Sequence, residues 1–118
     1  VTQLTSTSEE RMREELLIDA SINDTIVKYA QNTRAAGLDG VVCSPLEAGM
    51  VHGACGEEFL TVTPGVRFAD GDVADQVRVT TPARAREIGS DLIVVGRPIT
   101  AAEDPVAAYR RCVAEFVG

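Results

Sequence analysis

No run in the 118 residues approaches the ~18 to 20 apolar side chains that a bilayer-spanning helix needs, and no signal peptide opens the sequence. A cytoplasmic location without membrane attachment is the default expectation. Basic residues are scarce, 11 against 18 acidic ones, and the resulting net charge of −7 argues against nucleic acid as a partner, because a phosphate polymer would be repelled. A small phosphorylated ligand is still allowed, since one or two local arginines hold it against the overall field. The three cysteines, Cys43, Cys55 and Cys112, form no CxxC pair and have no histidine at metal-ligand spacing. They read as small buried apolar residues in a reducing compartment, and no structural zinc site is expected.

What is present is a repeated unit: a short apolar run, a polar turn, then a helix. Val1 to Leu4 reads as a strand and Ser8 to Leu17 as a charged helix. Ser21 with Asp24 makes a capping box for a second helix, on which Ile22, Ile26, Ala30 and Thr33 share a face and after which Gly37 suits a left-handed stop. Gly40 to Cys43 is a second strand, apolar throughout. Ser44-Pro45-Leu46-Glu47 then places a cap, a first-turn proline and a box carboxylate before a helix running to about Cys55. Phe59 to Val62 is the third strand. The polar stretch from Arg67 to Val79 exceeds the usual connection of ~2 to 6 residues, which marks it as a functional loop. Thr81-Pro82 opens a short helix ending at Gly89, Leu92 to Val95 is the fourth strand, and Asp104-Pro105 caps a last helix with Val106, Tyr109, Val113 and Phe116 on one face.

Strands alternating with helices indicate a parallel α/β sheet with right-handed crossovers, and continuous apolar strands predict cover on both faces. Gly37-Leu38-Asp39-Gly40-Val41-Val42 is echoed by Gly89-Ser90-Asp91-Leu92-Ile93-Val94. Such repetition suits a barrel of similar units, although open doubly wound sheets repeat as well.

Thr5 and Ser6, Ser44, Thr63, and Gly96 with Arg97 each fall just past a strand's C-terminal end, the edge where parallel α/β sheets bind ligands. Strand ends are wet and polar in any case, which accounts for part of this pattern. Gly96-Arg97-Pro98 is the sharper signal. Glycine lets a ligand approach the backbone, free N–H groups point at phosphate oxygens, and arginine adds a charged fork. The segment Ile99 to Ala102 suits the short extra helix that supports a phosphate after a barrel's last strand. Arg67 and Gln76 bracket the long loop. By themselves they read as solvated loop residues. His52, inside a helix with no partner in view, reads as a surface or core histidine, and the interleaved charges from Glu9 to Glu15 as a solvated helix face.

Together these motifs resemble a known family. Leu4-Thr5-Ser6 and Gly37 to Ser44 are similar to the fifth and sixth strands of orotidine 5′-monophosphate decarboxylase. Val62-Thr63-Pro64-Gly65-Val66-Arg67, Asp75-Gln76-Val77-Arg78-Val79 and Thr81-Pro82 resemble its seventh strand and following loop. Val94 to Thr100 with Asp104-Pro105 is similar to its eighth strand and final helix. The resemblance covers nearly the whole chain, in order. One departure is Phe68, where the family usually has proline, which puts the local loop shape in doubt.

The resemblance implies a dimeric (β/α)8 barrel without metal or cofactor, a carbon–carbon lyase of pyrimidine biosynthesis that converts orotidine 5′-monophosphate to UMP and CO2. It implies that Thr5 contacts the pyrimidine, that Gln76 lies in the loop over the ligand and reaches its phosphate, and that Arg67, Gly96 and Arg97 belong to the phosphate-binding set. The family's catalytic lysine and aspartates lie on the second and third strands, which have no counterpart here. The one lysine of this chain, Lys28, falls mid-helix, so no catalytic residue is assigned.

Eight β/α units take ~250 residues, and this chain supplies four. Residues 1–118 are therefore expected to form a single C-terminal half-barrel, a parallel (β/α)4 half of a TIM-type (β/α)8 barrel. Inward-facing side chains such as Val41, Cys43 or Val94 left in water would each cost about 1 to 3 kcal/mol. The chain is expected to pair with a complementary N-terminal half or to form a homo-oligomer, such as a two-fold dimer. Alone it is expected to be inactive. The alternative to a decarboxylase part is a non-catalytic phosphate-binding half-barrel that self-associates. A sugar-phosphate decarboxylase or synthase is a third reading; a receiver domain would need an acidic pair where Thr5-Ser6 stands.

Overall fold

Three short strands lie parallel in the order β1 (Gly40–Val42), β2 (Leu60–Thr63), β3 (Leu92–Ile93) in the computed structural model, which describes residues 1–4, 7–70 and 80–118. Between and around them run α1 (Glu9–Glu15), α2 (Ile22–Ala35), a 3-10 turn (Pro45–Glu47) leading into α3 (Ala48–Cys55), α4 (Pro82–Glu87), α5 (Arg97–Thr100) and α6 (Pro105–Phe116). Local chemistry explains where the helices begin. Ser8, Ser21, Thr81 and Asp104 each accept a hydrogen bond from the backbone N–H three residues on, satisfying a donor the first turn leaves orphaned. Gly37, at φ 84°, stops α2 in the left-handed conformation that a side chain would disfavour.

The expected first strand is not formed. Val1–Leu4 has no ladder, and its tie to the sheet is through Thr2, whose N–H and hydroxyl both donate to Val42 O at 3.0 and 3.2 Å. The fourth expected strand is shortened to Leu92–Ile93, although Val94 N still donates to Thr63 O at 3.0 Å.

Side-chain alternation divides the sheet into two unlike faces. Val41 and Cys43 point at the helices, where they pack with Ile26 and Ala30 of α2, Val51 and Cys55 of α3, and Phe59. This corrects the expectation that they face the barrel interior. The other face carries Val42, Val62, Leu92 and Val94, because Val42 pairs with Val62 and Val62 with Leu92. Leu92 and Val94 there are half exposed, so the sheet is covered on one face and not on both. The dimensions agree: the chain is only 19 Å thick and has a radius of gyration of 15.2 Å, against about 13.5 Å for a compact chain of this length. One sheet layer and one helix layer account for that slab.

The last helix packs on α4 and α5. Its buried residue is Cys112, while Val106, Tyr109 and Val113, three of the four residues read as sharing one face, stay exposed. Tyr109, Val113 and Phe116 instead line an apolar groove of about 220 Å³ with Ile93, Val95 and Ile99. Parallel strands, flanking helices and one open face make this a one-sided α/β layer, as expected of a half-barrel.

Candidate functional site

The C-terminal ends of β2 and β3 emerge side by side, since Thr63 pairs with Ile93. Four residues beyond each of these comes an arginine, Arg67 and Arg97. Neither forms an ion pair among the described residues, although the chain carries an acidic excess. A guanidinium left uncommitted on an acidic protein is available for an anion, and its fork suits phosphate.

Gly96 supplies the backbone part. Its carbonyl accepts from Ile99 N at 2.9 Å and Thr100 N at 3.0 Å, which closes α5 as a single turn. Pro98 has no N–H to offer, and the N–H groups of Gly96 and Arg97, at the start of the turn, have no partner among the described residues. A Cβ built on Gly96 would meet nothing within 4 Å, so the space beside it is open to a ligand. The short helix expected at Ile99 to Ala102 lies two residues earlier, at Arg97–Thr100.

Other polar residues at this edge are used structurally. Ser44 Oγ accepts from Leu46 N at 3.4 Å, capping the 3-10 turn. Thr63 is fully buried, and its hydroxyl bonds Ser90 Oγ at 3.1 Å and Leu92 O at 3.3 Å. Arg67 stands at the root of the long polar stretch, where Val66 bridges Thr80 and Arg67 N donates to Thr80 O at 3.0 Å. The remaining candidates, Thr5, Ser6 and Gln76, lie outside the described residues.

At the opposite end of the sheet sits a buried polar cluster. His52 Nε2 is 2.8 Å from Asp91 Oδ2, and the same oxygen accepts from Thr61 N at 2.8 Å and Thr61 Oγ1 at 3.0 Å. Burial pushes the Asp91 carboxyl up, but the Thr61 N–H, the His52 ring and the Thr61 hydroxyl together outweigh it and hold the group below the ordinary carboxylate range. His52 is thus a core histidine with a partner that sequence spacing did not reveal. Burial also pushes the Cys43 thiol up to about 12, with Glu47 and Asp91 adding to the effect, which makes it an inert packing group. No group of His, Cys, Asp and Glu able to hold a metal occurs among the described residues.

Comparison with known proteins is decisive here. A sequence profile of the Orotidine 5′-phosphate decarboxylase / HUMPS family matches residues 1–112. The chain belongs to that family. An orotidine 5′-phosphate decarboxylase of Bacillus cereus (strain AH187) is 54% identical over all 118 residues, which make up 50% of its length. That of Bacillus cytotoxicus is equally similar over the same share. Among solved structures, orotidine 5′-phosphate decarboxylase from Lactobacillus acidophilus superposes with a TM-score of 0.84 at 42% identity, over 99% of this chain and 47% of that one. The enzyme from Pyrococcus horikoshii OT3, 20% identical with a TM-score of 0.69, shares the fold. The chain therefore spans about half the length of the curated relatives it matches.

Within this family the half-open sheet has a plain explanation. The face bearing Val42, Val62, Leu92 and Val94 corresponds to a barrel interior, which is normally filled by layers of side chains from all eight strands. The residue that sequence reasoning missed is Arg111 of α6, which bonds Asp70 and stacks on Phe68. The 41 positions between Asp70 and Arg111 leave no local signal of that contact.

Proposed function

We propose that this chain supplies the phosphate- and pyrimidine-binding part of an orotidine 5′-monophosphate decarboxylase acting in the cytoplasm, and that the 118 residues alone do not turn the substrate over. The observation that carries the reading is the pair of arginines, Arg67 and Arg97, without an ion pair among the described residues, at adjoining strand ends beside the open backbone of Gly96. Arg97 and the Gly96 and Arg97 N–H groups hold the 5′-phosphate, and Arg67 closes on it from the neighbouring strand. By family resemblance Thr5 meets the pyrimidine and Gln76 reaches the phosphate.

In the reaction the C6–carboxyl bond breaks, CO2 leaves, and the electron pair on C6 takes a proton. This chain's residues bind and orient; they do not deliver that proton. Its single lysine, Lys28, is exposed on α2. Holding a remote phosphate is still a catalytic contribution, because that binding energy is used to fix the reacting ring against its proton donor.

The open sheet face and the apolar groove beside α6 favour association, either with a complementary half-barrel or with a second copy of this chain. Titration calorimetry with UMP and uridine tests the binding role: UMP is expected to bind and uridine to bind far more weakly. Following orotidine 5′-monophosphate absorbance should show no turnover by the chain alone and turnover once a complementary N-terminal half is added. Turnover by the chain alone, or equal affinity for the two ligands, would overturn the reading. A non-catalytic half-barrel that self-associates is the second reading, favoured by UMP binding that no added half converts to turnover.

A further inference from the structure

Phe68 follows the candidate phosphate ligand Arg67 directly and, unlike a proline, has a φ angle that its own ring does not fix. Its conformation must be held from outside, and α6 does so. The Arg111 guanidinium lies over the Phe68 ring, 4.2 Å from the centroid. Its Nη1 reaches Asp70 at 2.9 Å to Oδ1 and 3.0 Å to Oδ2, and its Nε donates to Glu115 Oε1 at 2.8 Å one turn along the helix. Each contact taken singly is a surface interaction of small worth. Their geometry is what matters: a planar group bonded along two edges and stacked on one side cannot turn without losing a contact.

We propose that Arg111 is a positioning residue for Arg67: it clamps Phe68 and Asp70 to α6 and so fixes the backbone that presents the Arg67 guanidinium to a phosphate monoester. The inference rests on the reading of Arg67 as a phosphate ligand. Arg67 is held from both sides. Val66 before it is buried and bridged to Thr80, its own N–H is bonded to Thr80 O, and Phe68 after it lies under the guanidinium. Removing the clamp frees one side only, so the chain still folds while the arginine wanders.

The test uses the whole chain with UMP and uridine as probes, together with amide hydrogen exchange at Arg67 N–H. R111A is expected to weaken UMP binding about tenfold, the scale of coupling between adjacent groups, while leaving uridine binding unchanged. R111K keeps the charge but not the flat stacked fork, so it should behave like R111A; full rescue by lysine would assign the effect to charge alone and overturn the clamp. Phe68→Leu should reproduce the loss, and the double variant should be no worse than either single one. Exchange at Arg67 N–H should quicken in R111A without any ligand. Unchanged exchange overturns the clamp, and quickened exchange with unchanged UMP affinity overturns its link to the phosphate. If the unmutated chain takes UMP and uridine equally, the phosphate reading fails and Arg111's role in it fails with it. The exchange measurement then still shows whether the clamp itself exists.

Discussion

His52 in α3 and Asp91 just before β3 meet at 2.8 Å across 39 positions of sequence. An ionised carboxylate only accepts, so Nε2 carries the hydrogen. Asp91 also takes the N–H and hydroxyl of Thr61, and the Thr61 hydroxyl in turn accepts from Asp91 N at 3.2 Å. One carboxylate thereby ties α3, β2 and the entry to β3. Asp91→Ala strands a buried imidazole N–H and a strand N–H, and is expected to cost about 1.5 to 3 kcal/mol. The urea unfolding midpoint measures it. A midpoint unchanged from the parent would show that the cluster contributes nothing.

The same carboxyl couples stability to pH. Its pKa in the folded chain is depressed, so its stabilising contribution is fully present above the unfolded aspartate value of about 3.9 and is lost as pH falls through the folded value. Asp70 is also lowered, by its own backbone N–H and then by Arg111, and Glu15 by Arg11, so the parent alone does not isolate the effect. Asp91→Asn should show a shallower loss of stability between pH 5 and the acid limit than the parent. Parallel acid-unfolding curves would refute the assignment.

Glycines at two positions should respond oppositely to alanine. A Cβ at Gly40 would run into the carbonyl oxygen and Cβ of Leu60, so Gly40→Ala must push β1 from β2 and lose about 1 to 3 kcal/mol or more. Gly53 lies inside α3 with nothing within 4 Å of a Cβ, and Gly53→Ala should gain about 0.5 to 1 kcal/mol by restricting the unfolded chain. Thermal melts of the two variants should move in opposite directions.

Arg97→Ala should weaken UMP binding by roughly 1.5 to 3 kcal/mol, the range for a charge-assisted hydrogen bond, and leave uridine affinity as it was. Arg97→Lys should recover part of the loss, because a point charge replaces a fork. Equal losses for both ligands would mean the arginine supports the fold and not the phosphate.

Much of this architecture is written locally. The caps at Ser8, Ser21, Thr81 and Asp104 and the stop at Gly37 involve residues within a few positions of each other, so helix starts follow from sequence. The facing of Gly40 to Cys43 does not. An apolar run without alternation gives no sign of which side meets the helices, and Val41 and Cys43 proved to lie on the helix side. The strand expected at Val1–Leu4 carries two polar residues in four, and a ladder needs a partner along its length, whereas Thr2 alone reaches Val42. At the candidate site, turn chemistry and charge sit together in Gly96-Arg97-Pro98, which is why sequence alone singles these residues out as candidates. The His52–Asp91 and Phe68–Arg111 contacts join distant segments and become visible only in three dimensions.

The tight fit of Gly40 against Leu60 also bears on which register the two strands can share. Sliding the first strand by one step would bring Asp39 or Val41 opposite Leu60, and either would thrust a carbon into space that admits only hydrogen. A slip would turn the apolar set to the wrong side as well. The observed alignment is the one that sets the residue without a side chain against Leu60.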